Sequence, residues 1–301
     1  MNKKVIRITN IPENKGIGHN FNHLFRIISE TDTEKSVLWD FRDANSLHPF
    51  FVAPLAIYKS TSGKDIECVN MSLRLQYYLN SICFNRILHF ENDAREEVET
   101  VLETYLDKSH VPLCSFAMTD ANRDIFGTII QRVILKQTGF KGGSSSLGYL
   151  ISELFDNIYE HSHSKNGYVF SQYSPDKEAI DICIADTGVT IPGSFRQASL
   201  YQKEIDGNDS EALRLANEGY STKNRPEAEN RGYGISTSKQ MLVVGMKGAF
   251  FMLSGGAFHR YENGKNEYID LSDVFKWKGT IIFLHIPVNT PSDFHYIDYL
   301  E

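Results

Sequence analysis

The sequence predicts an α/β protein built from two domains, residues 1–110 and residues 111–301. Three observations support this expectation. A chain of 301 residues that is 41% hydrophobic can bury more than one core. Short apolar runs that fit buried strands alternate with segments whose apolar residues recur at helical spacing. Around residues 109–112 this alternation breaks, and the break marks the domain boundary.

The first half is predicted to alternate strand and helix. Its apolar runs predict strands at residues 4–8, 36–41, 65–70 and 87–90. Helical spacing predicts helices around Leu24, Leu79 and Leu102 and another that begins near Pro49. A proline suits the first turn of a helix, because the N–H that it lacks has no partner there in any case.

The second half is predicted to be a mixed sheet covered by helices. Helices are expected at residues 120–137, at 147–161 and from about 233 onward. Alternating apolar residues predict strands at residues 167–173, 179–185, 248–253, 257–261 and 280–286. Gly139 should end the first helix, and a serine after Gly143 should cap the second. The polar, glycine-bearing stretch at about 188–231 is predicted to be a mobile lid.

Charge and composition limit the class of protein. The net charge of −7 argues against a general nucleic-acid binder, which needs clustered Lys and Arg. The four cysteines show no CxxC pair or metal-ligand spacing, so we expect free thiols in a reducing compartment. The N-terminus has no signal-like apolar segment, and no apolar run is long enough to span a membrane. We therefore expect a cytoplasmic protein.

The first functional signal lies on the helix that contains ELFDNIYEH. Glu153, Asn157 and His161 are spaced four apart and therefore share a stripe beside the apolar face. A glutamate can deprotonate a water or hydroxyl, and an asparagine carbonyl can ligate a hard cation. The alternative is that these residues form only the solvated side of the helix.

A second signal follows an apolar strand, in the sequence ADTG. Asp186 at the strand end can accept a hydrogen bond from an exocyclic amine such as that of adenine. Gly188 would let a flat ligand approach closely, since it has no Cβ. The alternative is an ordinary Asp-x-Gly turn.

A third signal is RGYG, immediately before a helix. The amides of Gly232 and Gly234 and the helix N-terminus can hold phosphate oxygens, and Lys223 and Arg231 add positive charge nearby. Loop glycines without a ligand remain the alternative. No GxxxxGK[ST] phosphate loop occurs in the chain.

The series ELFDN, ADTG, RGYG and GT…P resembles the N, G1, G2 and G3 boxes of the GHKL ATPase/kinase superfamily, over residues 120–287. This resemblance implies a Bergerat fold that binds ATP and Mg²⁺, with Glu153 as general base and Asn157 as the magnesium ligand. The other residues that it implies contact the nucleotide are Asp186, Gly188, Lys223, Arg231, Gly232, Tyr233, Gly234 and Thr280.

The resemblance also implies a role for each of these residues. Asp186 would recognise the adenine amino group, supported by Thr280 through water, with Gly188 beneath the base. Residues 232–234 would offer amides to the phosphates, and Lys223 and Arg231 would close from the lid. Within the superfamily, E-x-x-x-N-x-x-x-H is most similar to the anti-sigma-factor Ser/Thr kinases, and His161 is the matching histidine. The chain departs from the pattern at Thr190, where the family usually has a second glycine.

The first half resembles a STAS domain, on the order of its elements and on the DFRDANSLHPFF stretch. The phosphorylated Asp-Ser-[Ser/Thr]-Gly turn typical of that family is replaced here by Leu47-His48-Pro49. A STAS-like and GHKL pair implies partner switching within one polypeptide.

Three functions are open. The first is an ATP-driven regulatory switch that acts on a protein partner, with Ser/Thr phosphoryl transfer as an extension. The second is an ATPase that closes a homodimer, although only fourteen-odd residues follow Pro287, too few for the transducer domain of such ATPases. The third is a nucleotide-binding interaction module without catalysis.

Overall fold

The computed structural model describes residues 3–10, 18–91, 94–140, 143–220, 222, 234–271 and 275–300. For residues 18, 19, 160 and 161 only the backbone is described. Contacts divide the chain into two units, Met1–Leu88 with Pro112–Cys114 and His89–Val111 with Ser115–Glu301. The predicted domain boundary, between residues 110 and 111, falls within a strand that is described below. Each unit is treated separately.

The first unit contains a three-stranded parallel sheet in the order β1-β2-β3. Its strands are β1 (Lys4–Thr9), β2 (Ser36–Asp43) and β3 (Asp65–Val69). Its helices are α1 (Gly18–Asp32), α2 (Pro49–Thr61) and α3 (Leu73–Ser81). The predicted alternation of strand and helix is confirmed: α1 and α2 return the chain for the next parallel strand, and α3 follows β3 and leads out of this sheet.

Local chemistry explains why α2 begins where it does. Pro49 occupies the first turn, and the side chain of His48 accepts a hydrogen bond from the N–H of Phe50 at 3.2 Å.

The core beneath the sheet contains Trp39, whose indole N–H donates to the hydroxyl of Thr31 at 3.0 Å. A buried indole N–H needs such an acceptor, so this bond fixes the packing of β2 against α1.

The second unit contains a mixed eight-stranded sheet in the order β10-β9-β8-β11-β7-β6-β5-β4. Its strands are β4 (Leu88–Phe90), β5 (His110–Ala117), β6 (Asn166–Ser174), β7 (Ala179–Asp186), β8 (Ala249–Gly255), β9 (Ala257–Glu262), β10 (Lys265–Asp270) and β11 (Trp277–Pro287). Neighbouring strands from β10 to β6 pair antiparallel. The amide of Asn122 donates to the carbonyls of Glu91 and Ala117, which follow β4 and end β5, so these two strands run in the same direction.

The helices of this unit differ in length and position. They are α4 (Arg95–Glu103), α5 (Asp120–Thr138), α6 (Ser144–His161), α7 (Ile191–Ala198), α8 (Gln202–Ile205), α9 (Asp209–Asn217) and α10 (Gly234–Gln240), the last continuing into a π-helical turn, Met241–Gly245. The two long helices, α5 and α6, pack on the sheet through Phe116, whose ring lies 4.4 Å from that of Phe126 and 5.3 Å from that of Phe155. The sheet therefore fixes the position of α6, the helix on which the first functional signal lies.

Three expectations are corrected. The predicted break at residues 109–112 is wrong, because β5 begins at His110 and runs through Pro112; it lies between β4 and β6 in the sheet, and seven of its eight residues are buried. The strand β10 was not predicted, since its sequence KNEYID is mostly exposed and polar. The α6 N-cap is Gly143, not a serine, and the hydroxyl of Ser146 instead donates to the Gly143 carbonyl.

Much of the predicted lid at about 188–231 is helical, and its mobility stays a prediction. Helices α7, α8 and α9 share an apolar cluster formed by Phe195, Ile205, Ala212 and Leu215. Asp209, at the start of α9, pairs with Arg196 and accepts a hydrogen bond from the Gly256 N–H at 2.9 Å. Residues 221 and 223–233 of the stretch lie outside the described part.

Other expectations concern thiols and membrane helices. Cys114 and Cys183 are buried and Cys68 and Cys83 are partly buried, and all four are free thiols. Burial raises the pKa of the Cys68 thiol to about 11, so it is protonated at neutral pH. In the described part of the chain, no helix has the length and apolar character needed to cross a membrane. The helix-ending role of Gly139 is confirmed, with φ +60° in the left-handed region.

Candidate functional site

The helix α6 contacts both regions in which the sequence signals are found. At its C-terminal end, Ser162 accepts a hydrogen bond from the Val189 N–H, just after ADTG. Nine residues earlier, Glu153 lies against Gly234, the last residue of RGYG. At 1.5 Å per residue these two contacts are about 13 Å apart along the helix axis. Signals that are separated by up to eighty residues in sequence therefore meet on one helix.

Asp186 is a buried carboxylate that joins two strands. It ends β7 with only 1% of its surface exposed. Its Oδ1 accepts a hydrogen bond from the Gly188 N–H at 2.7 Å, and its Oδ2 accepts one from the Thr280 N–H at 3.2 Å. Burial raises the pKa of Asp186 to about 7, and the two backbone N–H bonds oppose this shift without cancelling it.

Two glycines beside Asp186, Gly188 and Gly279, are required because the protein's own atoms approach them closely. A Cβ on Gly188 would overlap the carbonyl oxygen of Ser162. Gly279 has φ +82°, and a Cβ there would overlap the backbone and carboxylate oxygens of Asp186. The sequence interpretation of Gly188 was close approach of a ligand, whereas the structure shows close approach of the turn after α6. Its predicted place beneath a base stays a prediction.

Thr280 and Ser254 complete a hydroxyl network beside Asp186. Ser254, fully buried on β8, accepts a hydrogen bond from the Ile191 N–H at 2.9 Å. Its hydroxyl lies 2.9 Å from that of Thr280 and 3.1 Å from the carbonyl of Gly279. Since a serine has one proton, Ser254 donates to Gly279 and Thr280 donates to Ser254. Sequence reasoning missed Ser254, although a serine in the apolar strand AFFMLSG is a signal that could have found it.

Thr190 has a structural role that the sequence interpretation did not anticipate. It is the N-cap of α7, and its hydroxyl accepts a hydrogen bond from the Gly193 N–H at 2.9 Å. A threonine cap stabilises a helix start by about 1 kcal/mol relative to alanine. The departure from the family pattern at this position therefore coincides with the start of a helix.

Glu153 places a negative charge beside the start of α10. A Cβ on Gly234 would overlap Oε2 of Glu153, so only glycine allows this approach. One turn earlier on α6, burial raises the pKa of the Tyr149 phenol, the charge of Glu153 raises it further, and a hydrogen bond with Thr237 opposes the shift. Thr237 lies on α10, so α6 and α10 are joined at two points.

Asn157 lies one turn after Glu153 and is partly buried. Its side-chain amide nitrogen donates to the main-chain carbonyl of Glu153 at 2.6 Å. Because the nitrogen makes this bond, the amide oxygen is the atom that remains suited to a hard cation. In the described part of the chain, no group of three or more His, Cys, Asp or Glu residues is placed to hold a metal ion.

Several predicted residues lie outside the described part. These are Lys223, Arg231, Gly232 and Tyr233, together with the side chain of His161. The predicted residues that are described fall into two groups on α6 and its neighbours. Asp186, Gly188 and Thr280 lie together near the C-terminal end of α6, whereas Glu153 and Gly234 lie against each other at its middle, with Asn157 one turn later.

Comparison with known proteins does not assign a family. No protein-family model matches the chain, and no curated protein is significantly similar to it in sequence.

The buried Asp186 should make stability depend on pH. Its pKa is about 7 in the folded protein and about 3.9 in the unfolded chain, so the folded state binds the proton more tightly. The stabilisation of the folded state by this proton is fully present below pH 4. It is lost as the pH rises to 7, by up to about 1.4 kcal/mol per pH unit. In urea unfolding, wild type should therefore lose stability relative to Asp186→Asn between pH 5 and pH 7.

The matched control for this measurement is Asp176→Asn, at an exposed carboxylate in the turn between β6 and β7. The difference in unfolding free energy between Asp176→Asn and wild type should be the same at pH 5 and at pH 7. An equally constant difference for Asp186→Asn would contradict the raised pKa.

Substitution of Gly188 by alanine should destabilise the protein. The new Cβ would overlap a backbone carbonyl that cannot rotate away, and overpacking of this kind costs about 1–3 kcal/mol. Gly127→Ala in α5 is the control, because its Cβ would lie 4.0 Å from the nearest atom. That variant should be neutral or up to about 1 kcal/mol more stable, since alanine favours a helix. Equal urea midpoints for the two variants would refute the close approach.

Proposed function

We propose that this chain is an ATP-binding regulatory protein of the GHKL type, which uses Mg²⁺-ATP to switch a protein partner. In this proposal the second unit has a Bergerat fold and the nucleotide lies along α6. Phosphoryl transfer to a Ser or Thr of the partner is the extension that Glu153 would support.

The observation that carries the proposal is the spacing of the two groups on α6. The contacts at Ser162 and at Glu153 are about 13 Å apart along the helix axis, so a ligand that reaches from one to the other must be elongated. An elongated ligand with an amine at one end and negative charge at the other fits the chemistry of the predicted residues. A nucleoside triphosphate with its magnesium ion has these properties.

The base end of the site would be Asp186. Its two oxygens offer about four acceptor positions, of which the Gly188 and Thr280 N–H groups use two. The remaining positions could accept the amino group of adenine. A buried site of this kind discriminates strongly between bases with and without the amine, because a base that lacks it would leave these acceptor positions without a donor.

The phosphate end would combine Glu153, Asn157 and Gly234. The oxygen of Asn157 would ligate magnesium, and most other ligands would be phosphate oxygens and water, as is usual for this ion. Glu153 would act as general base on a water or on the partner's hydroxyl. The predicted Lys223, Arg231, Gly232 and Tyr233 would add the contacts that offset phosphate charge.

The first unit would be the STAS-like partner-switching element. Its parallel sheet with a helix after each strand supports this comparison at the level of element order. A separate protein partner, or a second copy of the chain, would receive the signal.

Calorimetric titration with ATP and a non-hydrolysable analogue tests the binding step. We expect magnesium-dependent binding by wild type and at least tenfold weaker binding by Asp186→Asn, since the variant replaces one acceptor oxygen with a donor. Asp176→Asn should bind as wild type does. Absence of binding by wild type would contradict the proposal.

Substitution of Glu153 by glutamine tests the chemical step. The variant should bind ATP within about threefold of wild type but hydrolyse or transfer phosphate at least 100-fold more slowly, as expected for loss of a general base. Phosphate release and radiolabel transfer to partner proteins are the measurements. A wild type that binds ATP without turnover would instead be an interaction module, and ATP-dependent dimerisation would favour the ATPase alternative.

A further inference from the structure

Lys239 is a buried lysine that the proposed function does not use. It lies on α10, five residues after Gly234, and only 3% of its surface is exposed. Among the described residues its ammonium group lies 3.4 Å from the carbonyl of Asn217, 3.4 Å from Oδ1 of the same residue and 3.2 Å from the hydroxyl of Tyr268. Asn217 ends α9 and Tyr268 lies on β10, so one side chain joins three elements.

The hydrogen-bond partners of Lys239 within the described residues are uncharged. The nearby carboxylate of Glu218 is paired with Arg214, at 2.7 Å and 2.8 Å from its guanidinium. The ammonium also lies 5.9 Å from the centroid of the Tyr268 ring. Its interactions in the described part of the chain are therefore with a helix C-terminus, an amide oxygen and a phenol, none of which neutralises its charge.

These partners are themselves held in place. The amide nitrogen of Asn217 donates to the Leu213 carbonyl at 2.8 Å, which directs the amide oxygen towards the lysine. The Tyr268 ring stacks on His259 at 4.1 Å, and Nε2 of His259 lies 2.8 Å from Oδ1 of Asn266. The lysine therefore contacts a fixed frame.

Stability alone does not explain a lysine here. Burial lowers the pKa of Lys239 to about 8, which shows that the folded protein disfavours its charge, although the charge of Glu218 opposes the shift. A methionine of similar length would fill the space without a buried charge, and such replacements are often neutral or stabilising. A group that costs stability is expected to serve another purpose.

Its location indicates what that purpose is. The carbonyl that Lys239 contacts ends α9, and the helix that carries Lys239 begins at Gly234. A cation suits the C-terminal end of α9, where unpaired carbonyls concentrate negative potential. The start of α10 lies against Glu153, the predicted general base.

We propose that Lys239 is a positioning residue that ties the end of α9 to α10 and β10, and so fixes the start of α10 against Glu153. The tie itself stands on the observed contacts, whereas its consequence for ATP rests on the proposed function. Lys239 does not touch the nucleotide in this proposal, because Thr237 and not Lys239 faces α6.

The test compares full-length wild type, Lys239→Met and Lys239→Arg, with Lys203→Met as control at an exposed position on α8. Amide hydrogen exchange without nucleotide measures the tie directly. We expect exchange of residues 217–219 and 234–240 to be at least tenfold faster in Lys239→Met, while the urea midpoint stays at or above the wild-type value. Lys239→Arg, which keeps the cation, should exchange as wild type does.

Three results would overturn the role of Lys239. Unchanged exchange in both segments would show that the lysine ties nothing. A lowered urea midpoint of Lys239→Met, with faster exchange throughout the unit, would show a general packing role. If Lys239→Met does not fold, the same comparison is made with Lys239→Gln. Equal loss of protection in Lys239→Arg would show that charge is irrelevant.

ATP affinity provides the functional measurement. Lys239→Met should bind Mg²⁺-ATP at least tenfold more weakly than wild type, with Lys203→Met unchanged. If wild type binds no ATP, the proposed function fails, but the exchange comparison still decides whether Lys239 holds α9 to α10. Faster exchange with unchanged affinity would confine the role to local order and overturn its link to the nucleotide.

Discussion

The buried carboxylate of Asp186 is the constraint on which the rest of the candidate site depends. Its hydrogen bonds with the Gly188 and Thr280 N–H groups join the end of β7 to the start of the long final strand. Those bonds require the chain to turn immediately after Asp186, and the turn places Gly188 against the end of α6. An unpaired carboxylate at this depth would be strongly unfavourable, so the two N–H groups and the carboxylate are retained together.

The position of α6 follows from this arrangement and from the sheet beneath it. Phe116 and Phe155 hold the apolar face of the helix, while Gly188 lets the turn after β7 approach the C-terminal end of α6 and Gly234 lets α10 approach Glu153 at its middle. Two glycines that are distant in sequence thus serve the same helix. Their common property is a missing Cβ, and either methyl group would force the neighbouring element away.

The buried hydroxyl network of Ser254 and Thr280 and the buried Lys239 affect the stability of the second unit differently. Ser254 and Thr280 satisfy each other and the backbone, so their burial costs little. The described hydrogen-bond partners of Lys239 are neutral, and burial lowers the pKa of its ammonium group. The network around Ser254 is thus fixed by its own hydrogen bonds, whereas burial disfavours the charge of Lys239.

The sequence by itself determined most secondary structure and the α/β class, because apolar periodicity and residues such as Pro49 and Gly139 act locally. It also located Asp186 at a strand end. Tertiary structure alone decided that a segment with Pro112 forms a central strand, that Thr190 caps a helix and that Lys239 is buried. These features depend on contacts between residues far apart in the chain, and local periodicity carries no information about such contacts.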